Sequence, residues 1–338
     1  MKKIVIAMAV LGAFAGTAQA QSSVTVYGLL DGFVEFGNNG QGSLNRVQSG
    51  GTGPSRIGFK GTEALGGGMN VIWNLENGVN IDDGTAMQGG ILFGRLAIVG
   101  LTGNFGAVTI GRQYTPYFMT HAQYTMGYGM SWGNSANYFL DGGFSRSTNS
   151  VQYATPKMGG LSAKVLYALG ENSNEGMHSV GNAVGASLQY DTGALSLNGS
   201  HHRRKTTLTN TEKLSALGAS YAFKVAKVGI LYQTRRDDAN LVENDYYDIS
   251  AYIPVGIGSV LLDYGSYENK LVNDADATSA TIRYDHPLSK RTTVWGGYSI
   301  VRNDAKARFG IAPAAGTPMV VAAGENSRGL AIGLRHVF

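Results

Sequence analysis

Four cationic side chains share strand faces with polar rather than apolar residues: Arg56, Lys60, Arg95 and Arg146. Successive side chains of an extended strand point to opposite faces. Arg56 and Lys60 therefore lie opposite Ile57, and Arg146 lies in phase with Ser150. Guanidinium and ammonium groups collected along a narrow passage raise the local concentration of anions and exclude cations. These residue types and spacings indicate selection among ions, not the making or breaking of bonds.

Catalytic signals are missing from the sequence. An enzyme of the hydrolase type needs a nucleophile, a base and an orienting group within reach of one another. The six histidines are His121, His178, His201, His202, His286 and His336. None of these histidines lies in a motif such as His-Glu-x-x-His or Gly-x-Ser-x-Gly. We therefore expect a protein that is not an enzyme.

Metal ligands are similarly sparse. Two pairs of neighbouring acids, Asp82 with Asp83 and Asp237 with Asp238, offer the oxygen ligands that Ca²⁺ prefers. Solvated acidic loops are nevertheless the commoner case. The chain has no Cys, which excludes a zinc ribbon, a disulfide scaffold and a thiol enzyme. We expect neither a bound metal nor a cofactor.

Composition favours many short strands as the elements that position these cations. The 338 residues include 49 Gly and 18 Tyr but only 7 Pro, and 15% of them are charged. Alternation with a period of two recurs in segment after segment, and no segment keeps a helical period for long. The pattern predicts sixteen strands, at 24–37, 54–65, 69–79, 91–103, 106–114, 147–156, 161–170, 184–193, 195–204, 213–224, 227–236, 246–256, 259–269, 275–288, 292–303 and 327–338.

The connections between these strands alternate between tight turns and long polar loops. Long loops are expected at 38–53, 171–183, 237–245 and 304–326. Hairpins closed by short turns at one end and by long loops at the other describe an up-and-down barrel. A soluble sandwich requires neither that asymmetry nor strands of ten or more residues.

A barrel of sixteen strands is too wide for side chains to fill its interior. The polar face of each strand must then line water, and the apolar face must contact lipid. A closed barrel also pairs all backbone groups within the bilayer. The sequence thus predicts an all-β, sixteen-stranded antiparallel transmembrane barrel. Aromatic residues expected at its two membrane interfaces include Tyr153, Tyr190, Tyr221, Phe223, Tyr252 and Phe338.

The first twenty residues have the pattern of an export signal. Lys2 and Lys3 precede an apolar run at 4–15, and the small residues Ala18 and Ala20 in Thr17-Ala18-Gln19-Ala20 are suited to cleavage before Gln21. We therefore divide the chain into a signal peptide, 1–20, and a barrel domain, 21–338. Removing the two lysines lowers the net charge from +4 to +2, so no nucleic-acid partner is expected.

Several motifs in order resemble the general porins of Gram-negative outer membranes, and most closely the trimeric sixteen-stranded porins of Neisseria, Bordetella and related β-proteobacteria. The resemblance rests on Ser23-Val-Thr-Val-Tyr-Gly28, Ser55-Arg-Ile-Gly-Phe-Lys-Gly-Thr-Glu63, Arg95-Leu-Ala-Ile-Val-Gly-Leu101, Gly111-Arg-Gln113 and the terminal Phe338. It covers the whole of 21–338.

The resemblance implies a homotrimer of water-filled channels, each narrowed by its third loop folding into the pore. That loop corresponds to about 115–145. The family match separately assigns Arg56, Arg95 and Arg146 to the basic cluster of the constriction. We add Lys60 and Arg112, although alternation leaves the direction of Arg112 open. The acidic Pro-Glu-Phe-Gly-Gly sequence that some relatives carry on this loop is absent, so Asp141 is the one acidic candidate.

The aromatic residues of the third loop allow two interpretations. They pack the loop against the barrel wall, or they offer a stacking surface to sugar rings or aromatic solutes. The acids expected to face inward and oppose the arginines are Asp31, Glu35, Glu76 and Asp263.

The function we predict is passive diffusion of ions and small hydrophilic solutes through the outer membrane, with a weak preference for anions. The alternative is a substrate-specific channel with a saturable site for small organic anions. The expected partners are outer-membrane lipid and lipopolysaccharide, further copies of the chain, small hydrophilic solutes and inorganic anions. The long loops are expected to face outside the cell.

Overall fold

The computed structural model describes residues 23–125, 131–138, 142–314 and 316–338. Within these ranges, seventeen β-segments form one antiparallel sheet that closes on itself. The segments are β1 Ser23–Asn38, β2 Ser43–Ser49, β3 Arg56–Gly66, β4 Met69–Gly78, β5 Leu96–Gly103, β6 Gly106–Tyr114, β7 Arg146–Ala154, β8 Leu161–Ala168, β9 Ala183–Asp191, β10 Leu195–Lys205, β11 Thr211–Ala222, β12 Lys227–Asp237, β13 Glu243–Val255, β14 Gly258–Asn269, β15 Ala277–Pro287, β16 Thr292–Asn303 and β17 Ser327–Val337. The predicted signal peptide, 1–20, lies outside the described residues.

The segments β2 and β3 are two parts of a single barrel strand. Residues Gly32–Asn38 of β1 pair with β2, and residues Ser23–Leu29 of β1 pair with β3. The closed wall is therefore sixteen strands around, and the predicted fold class is confirmed. The prediction that 38–53 is a long loop is wrong, because 43–49 pairs with β1 and leaves two shorter connections, 39–42 and 50–55.

Closure depends on the first and last strands. Asn38 to Leu29 of β1 pairs in register with Arg328 to Val337 of β17. Beyond the end of β17, Phe338 still exchanges two backbone hydrogen bonds with Gly28, at 3.0 and 3.1 Å. Every other strand pairs with its neighbours in sequence order. The ring consequently has no free edge whose N–H and C=O groups would need another partner.

The two faces of the wall have opposite chemistry. On β17, Leu330, Ile332 and Leu334 are about half exposed on the outer face, whereas Ala331 between them is completely buried. The inner face buries polar side chains such as Gln233. The predicted arrangement of apolar residues outside and polar residues inside agrees with these exposures.

The longest loops all lie at one end of the barrel. The connections at the opposite end are all short turns: 67–68 is among the shortest of them, and 155–160 is the longest at that end. Gly66 and Gly67 have φ of 84° and 58°, a left-handed conformation that glycine adopts without steric cost. At the other end lie 79–95, 115–145, 169–182 and 304–326. The expected long loop at 237–245 is only 238–242, because both flanking strands extend further.

Helical segments occur in the connections. The third loop contains helix α1, Pro116–Tyr124, a 3₁₀ turn, Ser135–Tyr138, and helix α2, Gly142–Ser145. A second 3₁₀ turn, Gln88–Gly90, lies before β5. The strand predicted at 91–103 begins only at Leu96. None of the helices in the described part of the chain is long and apolar enough to cross a membrane.

We predict that Gly28→Val destabilises the closure by about 1–3 kcal/mol, since added volume in a packed site forces neighbouring atoms apart. A Cβ at Gly28 meets the Phe338 ring at 2.3 Å and the backbone oxygen of Arg56 at 2.8 Å. The matched control is Gly296→Val, because a Cβ there has no neighbour closer than 3.6 Å. The measurement is the denaturant midpoint of the detergent-solubilised protein. Equal midpoints for the two variants contradict the prediction.

Candidate functional site

The Tyr114 phenol and the Glu76 carboxylate join cations from three strands. Arg95 donates from Nε to Glu76 Oε1 at 2.6 Å and from Nη2 to Tyr114 Oη at 2.7 Å. Its side chain is only 2% exposed. Arg146 donates from Nη2 to the same phenol oxygen at 2.9 Å and from Nε to the carbonyl of Arg95, also at 2.9 Å. Two guanidinium groups thus share one neutral acceptor.

Arg56 completes the cluster on its other side. Its Nε lies 3.6 Å from Glu76 Oε2, and its side chain is 29% exposed. Tyr27 donates its hydroxyl to the same carboxylate oxygen at 2.8 Å. The Arg146 guanidinium also lies 4.4 Å from the centre of the Tyr114 ring, a cation–π distance. The cluster therefore holds three cations and one carboxylate, Glu76, which contacts two of them, and its net charge is two positive units.

Strand ends position this cluster. Arg56 opens β3, Arg95 immediately precedes β5, and Arg146 opens β7. Glu76 lies two residues before the end of β4, and Tyr114 is the last residue of β6. Consecutive antiparallel strands bring all five residues to the long-loop end of one part of the wall. Register pairs Tyr114 directly with Arg146 and Glu76 with Leu96, next to Arg95.

Alternation alone does not account for the direction of Arg146. Asn149 has a φ of 51°, and Thr148 is exposed although it was expected to share the buried face of Ser150. The strict period of two is therefore interrupted between Arg146 and Ser150. The hydrogen bonds of the Arg146 guanidinium, not strand parity, hold it in the cluster.

The other two predicted cations, Lys60 and Arg112, do not share the acceptors of the three arginines. Lys60 is exposed, four residues along β3 from Arg56, and its Nζ lies 5.1 Å from the Tyr27 ring centre. Arg112 donates from Nε to the Gly94 carbonyl at 2.7 Å. It stands at a break in the β6 register between Gly111 and Gln113, which is why alternation left its direction open. Asp141 lies outside the described residues.

The expected inward acids divide into two groups. Glu76 lies within the arginine cluster. Asp31 accepts from the Thr52 N–H at 2.6 Å and from Trp295 Nε1 at 3.2 Å. The other two, Glu35 and Asp263, also form contacts elsewhere on the wall. Only one of the four acids therefore reduces the positive charge of the cluster directly.

Helix α1 of the third loop contacts polar side chains of the inner face. Thr115 caps it by accepting from the Phe118 N–H at 3.1 Å, and Pro116 occupies the first turn. Tyr117 Oη accepts from Gln233 Nε2 on β12 at 2.6 Å. Burial raises the pKa of the Tyr117 phenol, so it stays neutral in this contact. Thr120 donates to Asn198 Oδ1 on β10 at 2.8 Å.

The next described part of the loop contacts strands at the seam of the barrel. Trp132 is completely buried and donates from Nε1 to Glu35 Oε1 on β1 at 2.8 Å. Its ring centroid lies 6.2 Å from that of Trp295 on β16. The Ser135 N–H donates to Asp263 Oδ1 on β14 at 3.0 Å. Described loop residues therefore form hydrogen bonds to inward-facing side chains on β10, β12, β14 and β1.

The loop returns towards β7 past a second pair of arginines. The guanidinium carbons of Arg204 and Arg235 lie 4.3 and 5.4 Å from the ring centre of Phe144. His202 meets the same ring edge-on at 5.9 Å, and Glu212 accepts from Arg235 Nη2 at 2.7 Å. Sequence reasoning did not predict this packing, because the partners are about sixty and ninety residues away along the chain.

The described aromatic residues of the loop are buried rather than displayed. Exposures lie between 0 and 3% for Tyr117, Phe118, Tyr124, Trp132 and Phe144. This burial supports packing of the loop against the wall over a stacking surface for solutes. Tyr128 and Phe139 lie outside the described residues.

Tyr27 and Tyr114 are the members of the cluster that sequence reasoning missed. A signal for both was available. Tyr27 has the same strand parity as Asp31, and Tyr114 directly follows the Gly111-Arg112-Gln113 motif.

The acidic pairs considered as calcium ligands stabilise local turns. Asp83 accepts from the Thr85 N–H at 2.9 Å, and Asp237 accepts from the Leu241 N–H at 2.7 Å.

The comparisons with known proteins agree with this architecture. A family model described as Gram-negative porin matches residues 7–306. The chain is 37% identical to outer membrane porin protein 32 of Delftia acidovorans, over 100% of both chains. It is 29% identical to major outer membrane protein P.IB of Neisseria meningitidis serogroup B, over 87% of this chain and 91% of that protein.

A solved structure supports the same assignment. The anion-selective porin from Comamonas acidovorans superposes with a TM-score of 0.84 at 32% identity. The superposition covers 94% of this chain and 100% of the other. Both the family match and these similarities extend over most of the sequence, and the predicted resemblance to porins of the β-proteobacterial and Neisserial type is confirmed. The chain belongs to the Gram-negative porin family.

Proposed function

We propose that the protein is an outer-membrane channel for passive diffusion of ions and small hydrophilic solutes, with a preference for anions. The observation that carries this proposal is the cluster of Arg56, Arg95 and Arg146 around one carboxylate and one phenol. The names of the relatives, an outer membrane porin and an anion-selective porin, agree with it.

Charge and geometry together favour anions. Two uncompensated positive charges on a water-lined wall of low dielectric raise the local concentration of anions and repel cations. The guanidinium planes of Arg95 and Arg146 are held by hydrogen bonds to Tyr114 and to the backbone, so they do not reorganise as an ion passes. A neutral phenol as the shared acceptor keeps their charge available to the lumen.

The third loop supplies the opposite side of the proposed passage. Its described residues bond to inward side chains of β10 to β14 and of β1, whereas the arginines project from β3 to β7 and the residues that precede β5. We propose that solutes pass between the arginine wall and this loop, and that the loop sets the width of the channel. Asp141 remains a predicted acidic contribution from the loop side.

Export and assembly complete the proposal. Cleavage after residue 20 would release a mature chain of 21–338 into the outer membrane, where the apolar outer face contacts lipid. The long-loop end is assigned to the cell exterior and the short turns to the periplasm. The homotrimer stays a prediction from the family resemblance.

Replacing the three arginines tests the proposed selectivity. Arg56→Ser, Arg95→Ser and Arg146→Ser combined should shift the zero-current potential of a planar bilayer under a KCl gradient towards cations. We expect the chloride-to-potassium permeability ratio to fall about fivefold or more, because one unit charge at about 4 Å contributes about 1 kcal/mol even in water.

The control for that measurement is Arg302→Ser, since Arg302 is exposed on the outer face of β16 and shares no contact with the cluster. Its potential should equal that of the unmodified protein. An anionic potential that survives the triple replacement would show that other lumen charges determine selectivity, and would remove the three arginines from the proposal.

Loosening the third loop tests its role in channel width. Trp132→Ala removes a buried ring that lies against Trp295 and donates to Glu35. We expect larger and noisier single-channel conductance, because the loop loses about 3–5 kcal/mol of packing. Trp73→Ala, on the outer wall, is the control and should leave conductance unchanged. A Trp132→Ala channel with normal conductance would contradict a width set by this part of the loop.

A saturable site for small organic anions is the second candidate function. It is favoured by Arg95 Nη1, a buried donor that has no hydrogen-bond partner among the described residues. Guanidinium groups bind carboxylates through paired N–H donors. The Arg95 Nη1 donor, next to the Arg146 guanidinium, would donate a hydrogen bond to the carboxylate of a solute bound within the cluster.

Current block distinguishes the two functions. If the site is saturable, micromolar succinate should reduce chloride current through the unmodified protein, and Arg95→Ser should abolish the block. Currents that respond only to millimolar succinate, in proportion to its concentration, would leave simple diffusion as the function.

A further inference from the structure

Three glycines on the inner face of the wall lie beneath residues of the third loop. They are Gly218 of β11, Gly229 of β12 and Gly265 of β14, and all three are buried. The outward-facing residues next to them in the chain, Leu217, Ile230 and Tyr264, are each more than half exposed. The glycines therefore face the interior of the barrel, on the side where the third loop forms its hydrogen bonds.

Tyr124, the last residue of helix α1, lies directly on two of these glycines. A Cβ at Gly218 would overlap three atoms of the Tyr124 ring, the farthest of them at 2.7 Å, and a Cβ at Gly229 would meet the Tyr124 carbonyl oxygen at 2.5 Å. The Tyr124 hydroxyl and Ser196 Oγ are hydrogen-bonded at 2.9 Å, and the Tyr124 carbonyl accepts from Ser250 Oγ at 3.3 Å. Tyr124 is only 1% exposed. The loop therefore contacts bare backbone at this point of the wall.

Ser135 occupies the corresponding place above Gly265. A Cβ at Gly265 would overlap both Cβ and Oγ of Ser135. The Ser135 hydroxyl donates to Asp248 Oδ2 at 2.8 Å, and the Ser135 N–H donates to Asp263 of β14. Register places Asp248 of β13 directly opposite Gly265. The serine reaches both carboxylates because no side chain fills the space at position 265.

Backbone conformation does not explain why these three positions are glycine. None of the three has a positive φ, so other residues can adopt the same strand conformation. Glycine within a strand also weakens it, because there is no side chain to pack. What glycine does permit is the close approach of another segment of chain. Tyr124 and Ser135 make that approach.

We propose that Gly218, Gly229 and Gly265 are positioning residues that set the distance between the third loop and the wall, and with it the largest solute that the channel admits. The inference rests on the proposed function, in which solutes pass between this loop and the arginines. Carbon atoms in contact lie about 3.5–4.0 Å apart. Gly218→Ala therefore moves the loop about 1 Å away from this part of the wall and towards the arginines.

The test measures single-channel conductance and the largest poly(ethylene glycol) that lowers it. Gly218→Ala and Gly265→Ala should each reduce the conductance about twofold and exclude polymers that enter the unmodified channel, because the passage narrows by about 1 Å. The matched control is Gly199→Ala on the neighbouring strand β10. Gly199 faces outwards, where a Cβ would meet only Leu217, at 3.3 Å, so conductance and polymer size should stay unchanged.

A second replacement separates displacement of the loop from a change in the strand. Tyr124→Ala removes the ring that a Cβ at position 218 would overlap. Gly218→Ala should therefore have no further effect on conductance in the Tyr124→Ala background, whereas the two changes add if the strand alone is altered.

The zero-current potential separates this inference from the proposed function. It should stay anionic in every glycine variant, because the three arginines are unchanged. A cation-selective unmodified protein would contradict the proposed function, whereas the present inference is decided by the conductance and polymer size of the variants.

Three outcomes would overturn the inference. Gly218→Ala and Gly265→Ala channels that match Gly199→Ala in conductance and polymer size would show that the glycines do not control the size limit. A reduction in conductance that persists at full size in the Tyr124→Ala background would assign the effect to the strand. Larger, noisier conductance in the inward glycine variants would show that the loop is released rather than displaced.

Discussion

Backbone hydrogen bonding is the constraint on which the rest of this structure depends. In hydrocarbon, each unpaired N–H or C=O group costs several kcal/mol, so a sheet that crosses the membrane must leave no edge. Pairing of β1 with β17 meets this requirement, and Phe338 extends the ladder by two further bonds to Gly28. The positions of all inward and outward side chains follow once the ring is closed, because each register is fixed by its neighbours.

Closure of sixteen strands produces an interior that wall side chains alone do not fill. Described residues of the third loop form hydrogen bonds to polar side chains of the wall, and several of these groups are buried. The Glu35 carboxylate accepts hydrogen bonds from Trp132 Nε1 and Arg46 Nε, and the Asp263 carboxylate accepts one from the Ser135 N–H. A buried charge is tolerated when it is paired and hydrogen-bonded. The acids that would otherwise oppose the arginines are therefore largely committed to holding the loop and the seam.

The arginine cluster illustrates how neighbouring strand ends concentrate charge. Guanidinium groups repel one another, yet Arg95 and Arg146 share the Tyr114 hydroxyl, and Arg146 also donates to the backbone carbonyl of Arg95. A single carboxylate, Glu76, offsets one charge. Fixed hydrogen bonds of this kind maintain an orientation that flexible surface lysines do not maintain, as the exposed position of Lys60 indicates.

Alternating hydrophobicity determined much of this protein from the sequence alone: the all-β class, the sixteen-strand count, the apolar outer face and most strand bounds. A period of two is a local property, so it is readable from neighbouring residues. The sequence also identified Arg56, Arg95 and Arg146, and the tertiary structure brings all three together.

Only the tertiary structure decided features that depend on residues distant in the chain. The pairing of 43–49 with β1 replaced an expected loop, and the irregularity at Asn149 broke the phase that had been used to orient Arg146. Tyr114 as the shared acceptor and Phe144 between Arg204 and Arg235 were likewise not evident beforehand. Cross-strand register and loop packing join residues tens to hundreds of positions apart, and no local pattern in a sequence encodes such contacts.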